Sequence, residues 1–276
     1  MILAQSRLHD GWLLRLTLPP EVEGLRDELL HLVVRAARGH EVAPLRRSRH
    51  ATTFNVRFSA RGSRFSLYVK AIDAPAGFRR IRRIFRSGPA MHAARIAQRL
   101  QEVGLGAPSA WICGRELATR RELIVTPRAP GNGPLRTLAE AARSPQQKWA
   151  LMRALGREVS RLHRAGFVHG DLTPFNIFVV AGEPPRFIFL DHERTRHRFF
   201  GAGRRPQLRN LVQLGRFKLP YLNARDRLRF LAAYCADMGY AHPREHVRRV
   251  NAMLQKRLER DGGFQTIPPV TGFGRQ

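Results

Sequence analysis

The spacing of apolar residues predicts a strand-rich first half of the chain and a helix-rich second half. Where apolar side chains recur every three or four positions, as at Leu25, Leu29 and Val33, we expect an amphipathic helix. Where they alternate with polar side chains, as in Thr52–Phe58, we expect a β-strand. The predicted helices cover residues 19–38, about 88–103, 145–164 and most of 206–260. The predicted strands form a hairpin within residues 45–72, with its turn at 60–63, and lie at 109–113, 121–126, 177–180 and 187–190.

A run of proline and glycine separates the two halves. Residues 126–134 read Thr-Pro-Arg-Ala-Pro-Gly-Asn-Gly-Pro, a composition that interrupts both helices and strands. We therefore expect an α+β fold of two lobes, with a small β-rich N-lobe at residues 45–128 and a larger helical C-lobe at residues 129–276. Residues 1–44 are expected to form an N-terminal extension with one helix.

The most informative motif follows the helix predicted at 145–164. It reads His-Gly-Asp-Leu-Thr-Pro-Phe-Asn over residues 169–176, and the predicted hairpin after it ends on Asp191. Phosphoryl transfer from ATP uses one carboxylate at the attacking hydroxyl, and an amide and a second carboxylate as magnesium ligands. The spacing therefore predicts a catalytic Asp171 with Asn176 and Asp191 as Mg²⁺ ligands. The alternative is a Thr-Pro turn capped by Asp171, with Asp191 in an ordinary loop.

Lys70, at the end of a predicted strand, is the candidate for binding the α- and β-phosphates of ATP. Only four of the 49 basic residues are lysine, so one at this position carries weight against the alternative of a strand-end lysine that extends into water.

The phosphate-binding loop should lie at residues 47–53, which contain no glycine. The side chains of Ser48, Arg49 and Thr52, together with the hydroxyl of Thr53, are expected to replace backbone amides there, although a plain strand start is the alternative. Thr126, at the end of the last N-lobe strand, is a further candidate for nucleotide binding.

Several segments carry a resemblance to a known family. They are Ile84–Ala90, Gly104–Pro108, His169–Leu172, Phe189–Asp191, Arg209–Leu214 and Asp226–Leu231. Over about residues 45–260 the chain resembles the lipopolysaccharide core (Kdo/heptose) kinases of the protein-kinase-like superfamily. The resemblance implies a protein-kinase-like fold, ATP and Mg²⁺ as cofactors, and phosphorylation of a sugar hydroxyl in the inner core at the cytoplasmic membrane face.

The chain departs from the kinase pattern at two positions. The helix predicted at 88–101 contains no glutamate to pair with Lys70, and Gly170 stands where regulated protein kinases have the arginine that binds a phosphorylated activation loop. We therefore do not expect regulation through such a loop. The missing glutamate and the missing glycines favour the alternative function, a weak or inactive pseudokinase that acts as a basic membrane- or polyanion-binding module.

Charge narrows the range of partners. The net charge is +28, from 49 basic and 21 acidic residues, so contact with an anionic partner is expected. The arginines of residues 194–209 are either a solvated loop or a cleft for an anionic sugar or lipid-linked saccharide. The arginines of residues 79–86 either pack on the N-lobe or face an anionic membrane surface. Nucleic acid is not expected as a partner.

The remaining features concern the cell compartment. No apolar run approaches the ~18 residues of a membrane span, and the N-terminus does not have the pattern of a signal peptide. Cys113 and Cys235 are not spaced as metal ligands and are expected to be buried free thiols. We expect a cytoplasmic protein, peripheral on the inner membrane face.

Overall fold

The computed structural model describes residues 5–40, 42–74, 88–199 and 201–265. The chain divides into two units, one of residues 1–99 and 108–129 and the other of residues 100–107 and 130–276. The division after residue 129 falls within the Pro/Gly run. The arginine cluster at 79–86 lies outside the described residues.

A seven-stranded antiparallel sheet forms the first unit, in the order β1-β2-β6-β7-β5-β4-β3. Its strands are β1 (Gln5–His9), β2 (Trp12–Leu16), β3 (Pro44–Arg47), β4 (Ala51–Ala60), β5 (Ser63–Ile72), β6 (Ile112–Glu116) and β7 (Glu122–Pro127). Its helices are α1 (Pro20–Glu23), α2 (Arg26–Ala37) and most of α3 (Pro89–Glu102).

The two faces of this sheet have different coverings. On one face, alternate residues of β4 and β5, such as Phe54 and Val69, pack with Leu29 and Val33 of α2 in a buried core. On the other face, a smaller cluster joins Ile72 and Ile124 to the start of α3. Lys70 precedes Ile72 by two residues in β5 and pairs with Ile124 of β7, so its side chain lies on this second face.

The segment before β3 contributes two strands to the sheet, β1 and β2, in addition to the helices α1 and α2. Trp12, Leu14 and Leu16 are buried on alternate positions of β2, which pairs with β6. The hairpin of β1 and β2 is not among the predicted elements. The helix predicted at 19–38 is present as two helices, interrupted at Gly24 and Leu25.

The second unit is mainly helical. Its helices are α4 (Pro134–Ala141), α5 (Pro145–Arg164), α6 (Arg204–Gly215), α7 (Ala224–Asp237) and α8 (Pro243–Asp261). Four short strands form two antiparallel pairs: β8 (Phe167–Val168) with β11 (Arg196–His197), and β9 (Ile177–Val180) with β10 (Arg186–Phe189). The segment predicted to be catalytic lies between β8 and β9.

Helices α5 and α7 pack against each other at close range. A Cβ atom at Gly156 would lie 2.4 Å from the carbonyl oxygen of Phe230, so only glycine fits this contact. At the start of α7, Asn223 and Asp226 form a capping box, and the buried Asp226 carboxylate lies 3.0 Å from the ammonium of Lys148 on α5. These contacts fix the two helices side by side.

The confirmed elements are the longer ones. The hairpin of β4 and β5, helix α3 and helix α5 lie within a residue or two of their predicted bounds, whereas β6 begins three residues later than predicted. Cys113 and Cys235 are buried and free, as predicted. A membrane span would need a long apolar helix, and none of the helices within the described ranges qualifies.

Candidate active site

The hairpin of β9 and β10 joins Asp171, Asn176 and the residue before Asp191 by hydrogen bonds. Asn176 Nδ2 donates to the backbone oxygen of Asp171 at 2.8 Å, and the backbone oxygen of Asn176 accepts from the amide of Leu190 at 2.9 Å. Because Asp191 follows Leu190 directly, the segments that carry the three predicted residues are joined through Asn176.

The side-chain chemistry fits a magnesium site. With its Nδ2 used by Asp171, Asn176 keeps its Oδ1 oxygen for a cation. Asp191 is exposed and adopts φ 63° and ψ 68°, a left-handed conformation that aspartate tolerates better than most residues and that clusters at functional sites. Mg²⁺ is typically held by one or two carboxylates together with substrate phosphates, a requirement that these two side chains meet.

The carboxylate of Asp171 is available for a substrate. Within the described ranges it accepts no hydrogen bond and makes no ion pair. The two sides of the site are connected instead by the buried ring of His169, whose Nε2 donates to the backbone oxygen of Leu190 at 2.7 Å. Its Nδ1 faces the amide of Asp171 at 3.4 Å. Burial lowers the pKa of His169, so the ring is neutral and can serve both partners.

A network of buried polar side chains from α5, α6 and α7 binds the backbone at the start of this segment. Asn210 Oδ1 on α6 accepts from the backbone amide of His169 at 2.9 Å and from His163 Nε2 on α5 at 3.2 Å. The Nδ1 of His163 in turn accepts from the hydroxyl of Tyr234 on α7 at 2.8 Å. None of these three residues is among the predicted site residues. The only signals for them in the sequence were a histidine beside the apolar face of α5 and a polar residue within α6.

The packing of the same segment explains the glycine in the motif. A Cβ atom at Gly170 would lie 2.3 Å from the backbone oxygen of Arg194, in the turn that follows Asp191. Gly170 also accepts from Gln213 Nε2 at 3.3 Å. An arginine therefore does not fit at this position without displacing the turn.

In the first unit, the strand register decides which residues accompany Lys70. Lys70 lies opposite Thr53 on β4 and Ile124 on β7, and the adjacent row on the same face is Asn55, Tyr68 and Thr126. Thr126 is thus on the face of Lys70, as a nucleotide contact requires. Tyr68 lies there too, and burial raises the pKa of its phenol.

Thr52 lies on the other face. It is opposite Ala71, which belongs to the core beneath α2, because successive residues of a strand alternate in direction. Thr53 rather than Thr52 is therefore the hydroxyl on the face of Lys70. This corrects the placement of Thr52.

The loop without glycine is closed by a serine side chain. Ser48 Oγ donates to the backbone oxygen of Ala51 at 3.0 Å and accepts from its amide at 3.1 Å. Arg49 is exposed in this turn. The hydroxyl of Ser48 thus already holds the turn, and its contact with a phosphate, like that of Arg49, stays a prediction.

Helix α3 contains no glutamate before Glu102, but a carboxylate from β7 reaches its first turn. The buried Glu122 accepts from the amide of Ala90 at 2.8 Å, at the positive end of the helix dipole. A Cβ atom at Gly88 would lie 1.6 Å from Glu122 Oε1. An acidic residue at the head of the apolar run of residues 123–125 was the signal in the sequence.

Comparisons with known proteins agree with this architecture. A solved structure of WaaP in complex with acyl carrier protein has 23% sequence identity and a TM-score of 0.62, and the match covers 89% of this chain and 98% of WaaP. It establishes the predicted protein-kinase-like fold. The KEOPS complex subunit Bud32 of Pyrococcus abyssi (strain GE5 / Orsay) is 33% identical over 90 residues, which span 33% of this chain and 38% of Bud32.

We expect Asn210→Ala to loosen the catalytic segment without unfolding the protein. The substitution leaves the amide of His169 and the ring of His163 without their acceptor, a cost of about 1–3 kcal/mol for a buried group. Hydrogen exchange measured by mass spectrometry should accelerate in residues 167–176. The matched control is Asn223→Ala, which removes another single acceptor of a backbone amide in the same unit. Equal acceleration in both variants would contradict the role of Asn210.

We expect the protein to lose stability in mild acid. Burial lowers the pKa of His163 from 6.5 to about 4, so the unfolded state binds more protons between these values. Stability should fall from about pH 6.5 toward pH 4, by at most about 1.4 kcal/mol per pH unit for one histidine. Urea unfolding at several pH values measures this slope. His163→Gln should reduce it, whereas His40→Gln, at an exposed position, should not; an unchanged slope in His163→Gln would exclude this origin.

A protein-family model also matches most of the chain. The model of the lipopolysaccharide kinase (Kdo/WaaP) family matches residues 42–234, well over half of the chain. The match includes Lys70, Asp171, Asn176 and Asp191, and it confirms the predicted family and the kinase class of enzyme. The chain belongs to the lipopolysaccharide kinase (Kdo/WaaP) family.

Proposed function

We propose that the protein transfers the γ-phosphoryl group of ATP to a hydroxyl of an anionic sugar in the lipopolysaccharide inner core, at the cytoplasmic face of the inner membrane. The observation that carries this proposal is the joining of Asp171, Asn176 and the Asp191 segment by hydrogen bonds through Asn176. Family membership supports the reaction class.

Each residue has a role that its surroundings permit. The free carboxylate of Asp171 orients the acceptor hydroxyl and takes its proton as the new O–P bond forms and the bond to ADP breaks. Asn176 Oδ1 and Asp191 would hold Mg²⁺, which neutralises charge on the transferring phosphates. Lys70 binds the α- and β-phosphates, with Thr53 and Thr126 on its face of the sheet.

Charge beside the site favours an anionic acceptor. Arg194, Arg196 and Arg198 follow Asp191 within seven residues and are all exposed. Guanidinium groups bind carboxylates and phosphates through paired hydrogen bonds. The alternative, a pseudokinase that binds anionic surfaces, is favoured by the phosphate loop without glycine and by the absence of a glutamate from α3 before Glu102.

We also propose an acyl carrier protein as a partner. WaaP binds one in its solved structure. The second unit of this chain contains an apolar cavity of about 120 Å³, lined by side chains that include Leu151, Leu155, Phe217 and Leu254. An apolar cavity of ~150 Å³ takes up benzene, so this volume suits the end of an acyl chain.

We expect ATP with Mg²⁺ to raise the melting temperature of the wild type and Asp191→Ala to lose this effect. Asp171→Asn should keep the stabilisation and lose roughly 100-fold or more of phosphate transfer to inner-core oligosaccharide, because only the proton acceptor is removed. Asp27→Ala, at an exposed position on α2, is the control and should behave as the wild type. If ATP raises the melting temperature equally with and without Mg²⁺ and no phosphate transfer is detected, the result favours the pseudokinase.

We expect acyl-loaded carrier protein to raise the melting temperature more than the unloaded form, because only the loaded form fills the cavity. Leu254→Trp should remove this difference by occupying the space. Leu228→Trp is the matched control, since Leu228 is 50% exposed and outside the cavity lining. Equal stabilisation by the loaded and unloaded forms would show that the cavity is not an acyl site.

A further inference from the structure

A groove between α5 and α7 carries three arginines and is separate from the candidate active site. Its volume is about 390 Å³, and Asp171, Asn176 and Asp191 do not line it. The arginines are Arg153 and Arg157 on α5 and Arg229 on α7.

The close packing of the two helices produces the floor of the groove. Gly156, between the two arginines of α5, allows the backbone of α7 to approach, and Ala232, Ala233 and Ala236 leave the floor shallow and apolar. Long basic side chains stand at the rim, and small side chains lie below them. The groove can therefore admit a compact group to which the arginines donate hydrogen bonds.

The charge of the groove is uncompensated at the α5 rim. Arg153 and Arg157 are exposed, one helical turn apart, and neither makes an ion pair within the part of the chain that the structure describes. Like charges at this spacing on a helix repel each other and destabilise it. One acidic residue, Asp237, also lines the groove, and its carboxylate lies 3.1 Å from Arg164, which is not a groove residue. Glu158 of α5 lies 2.7 Å from Arg161.

The third arginine is held in place by stacking. The guanidinium carbon of Arg229 lies 4.2 Å from the ring centroid of Trp149. It also approaches Asp226 at 3.4 Å, although that carboxylate lies closer to Lys148, at 3.0 Å. Because stacking and the hydrogen bond from Nη1 to Asp226 Oδ1 already hold Arg229 in place, the side chain loses little entropy when its remaining N–H groups donate to an anion.

We propose that the α5/α7 groove binds a phosphate group, carried either by a lipid headgroup or by a soluble phosphoester. A carboxylate is satisfied by one guanidinium fork, whereas a phosphate has the charge and the acceptor oxygens to engage several. A phosphate bound here offsets the repulsion between Arg153 and Arg157. The proposal does not depend on the proposed phosphoryl transfer, because it involves none of the residues of that site.

The test uses the full-length protein in EDTA, so that binding at the candidate magnesium site does not contribute. Pyrophosphate is titrated while tryptophan fluorescence is recorded, since Trp149 is the tryptophan that contacts a groove residue. Co-sedimentation with phosphatidylglycerol vesicles, compared with phosphatidylcholine vesicles, tests the lipid source. Poly-glutamate is a third probe and stands for an acidic protein surface.

The chain provides a matched control. Arg153→Gln combined with Arg157→Gln removes the α5 rim, and Arg244→Gln combined with Arg248→Gln removes two exposed arginines at the same spacing on α8. Both double variants lose the same charge. We expect the first to weaken binding roughly tenfold or more, because charge-assisted hydrogen bonds are lost, and the second to change it little.

The outcomes separate the sources. Groove-dependent binding of pyrophosphate shows that a soluble phosphate compound is sufficient, and groove dependence with phosphatidylglycerol vesicles alone assigns the site to a lipid headgroup. Equal weakening in both double variants, or no binding of pyrophosphate and vesicles, overturns the proposal. Groove-dependent binding of poly-glutamate without binding of either phosphate probe overturns it as well and points to an acidic protein.

Discussion

The candidate site depends on one buried amide. The oxygen of Asn210 satisfies the backbone amide of His169 and the ring of His163 at once, and Tyr234 completes the chain of hydrogen bonds. Unsatisfied polar groups in such an interior cost about 1–3 kcal/mol each. Helices α5, α6 and α7 can therefore pack only where these bonds form, and that arrangement sets the position of the segment that begins at His169.

His169 and the short strands around this segment then set where Asp171 and Asn176 lie. His169 connects Asp171 to the Leu190 carbonyl, and the hairpin of β9 and β10 returns the chain to Asn176. In the first unit, two polar side chains occupy places where kinases typically have other residues. Where a phosphate loop would use glycine, the Ser48 side chain closes the turn, and where α3 does not have an early glutamate, Glu122 accepts a hydrogen bond from the amide of Ala90.

The arginines of this basic protein make different kinds of contact. Arg161 pairs with Glu158, and Arg164 lies within ion-pair distance of Asp237, whereas Arg229 stacks on Trp149. Arg153 and Arg157 line a groove and make no ion pair with any residue that the structure describes. The net charge of +28 predicts an anionic partner in general. Local geometry decides which arginines are available to bind it.

The sequence by itself determined the order of the candidate catalytic residues, the fold class, and the longer helices and hairpin, since these depend on local spacing and periodicity. Tertiary structure decided the rest. The pairing of β2 with β6 joins residues about 100 positions apart, and the turn at Arg61 and Gly62 sets the register that places Thr53, and not Thr52, beside Lys70. Asn210 and Glu122 act on backbone amides 41 and 32 residues away. Such contacts form only when distant segments pack, because no local pattern in the chain specifies a partner that is close in space alone.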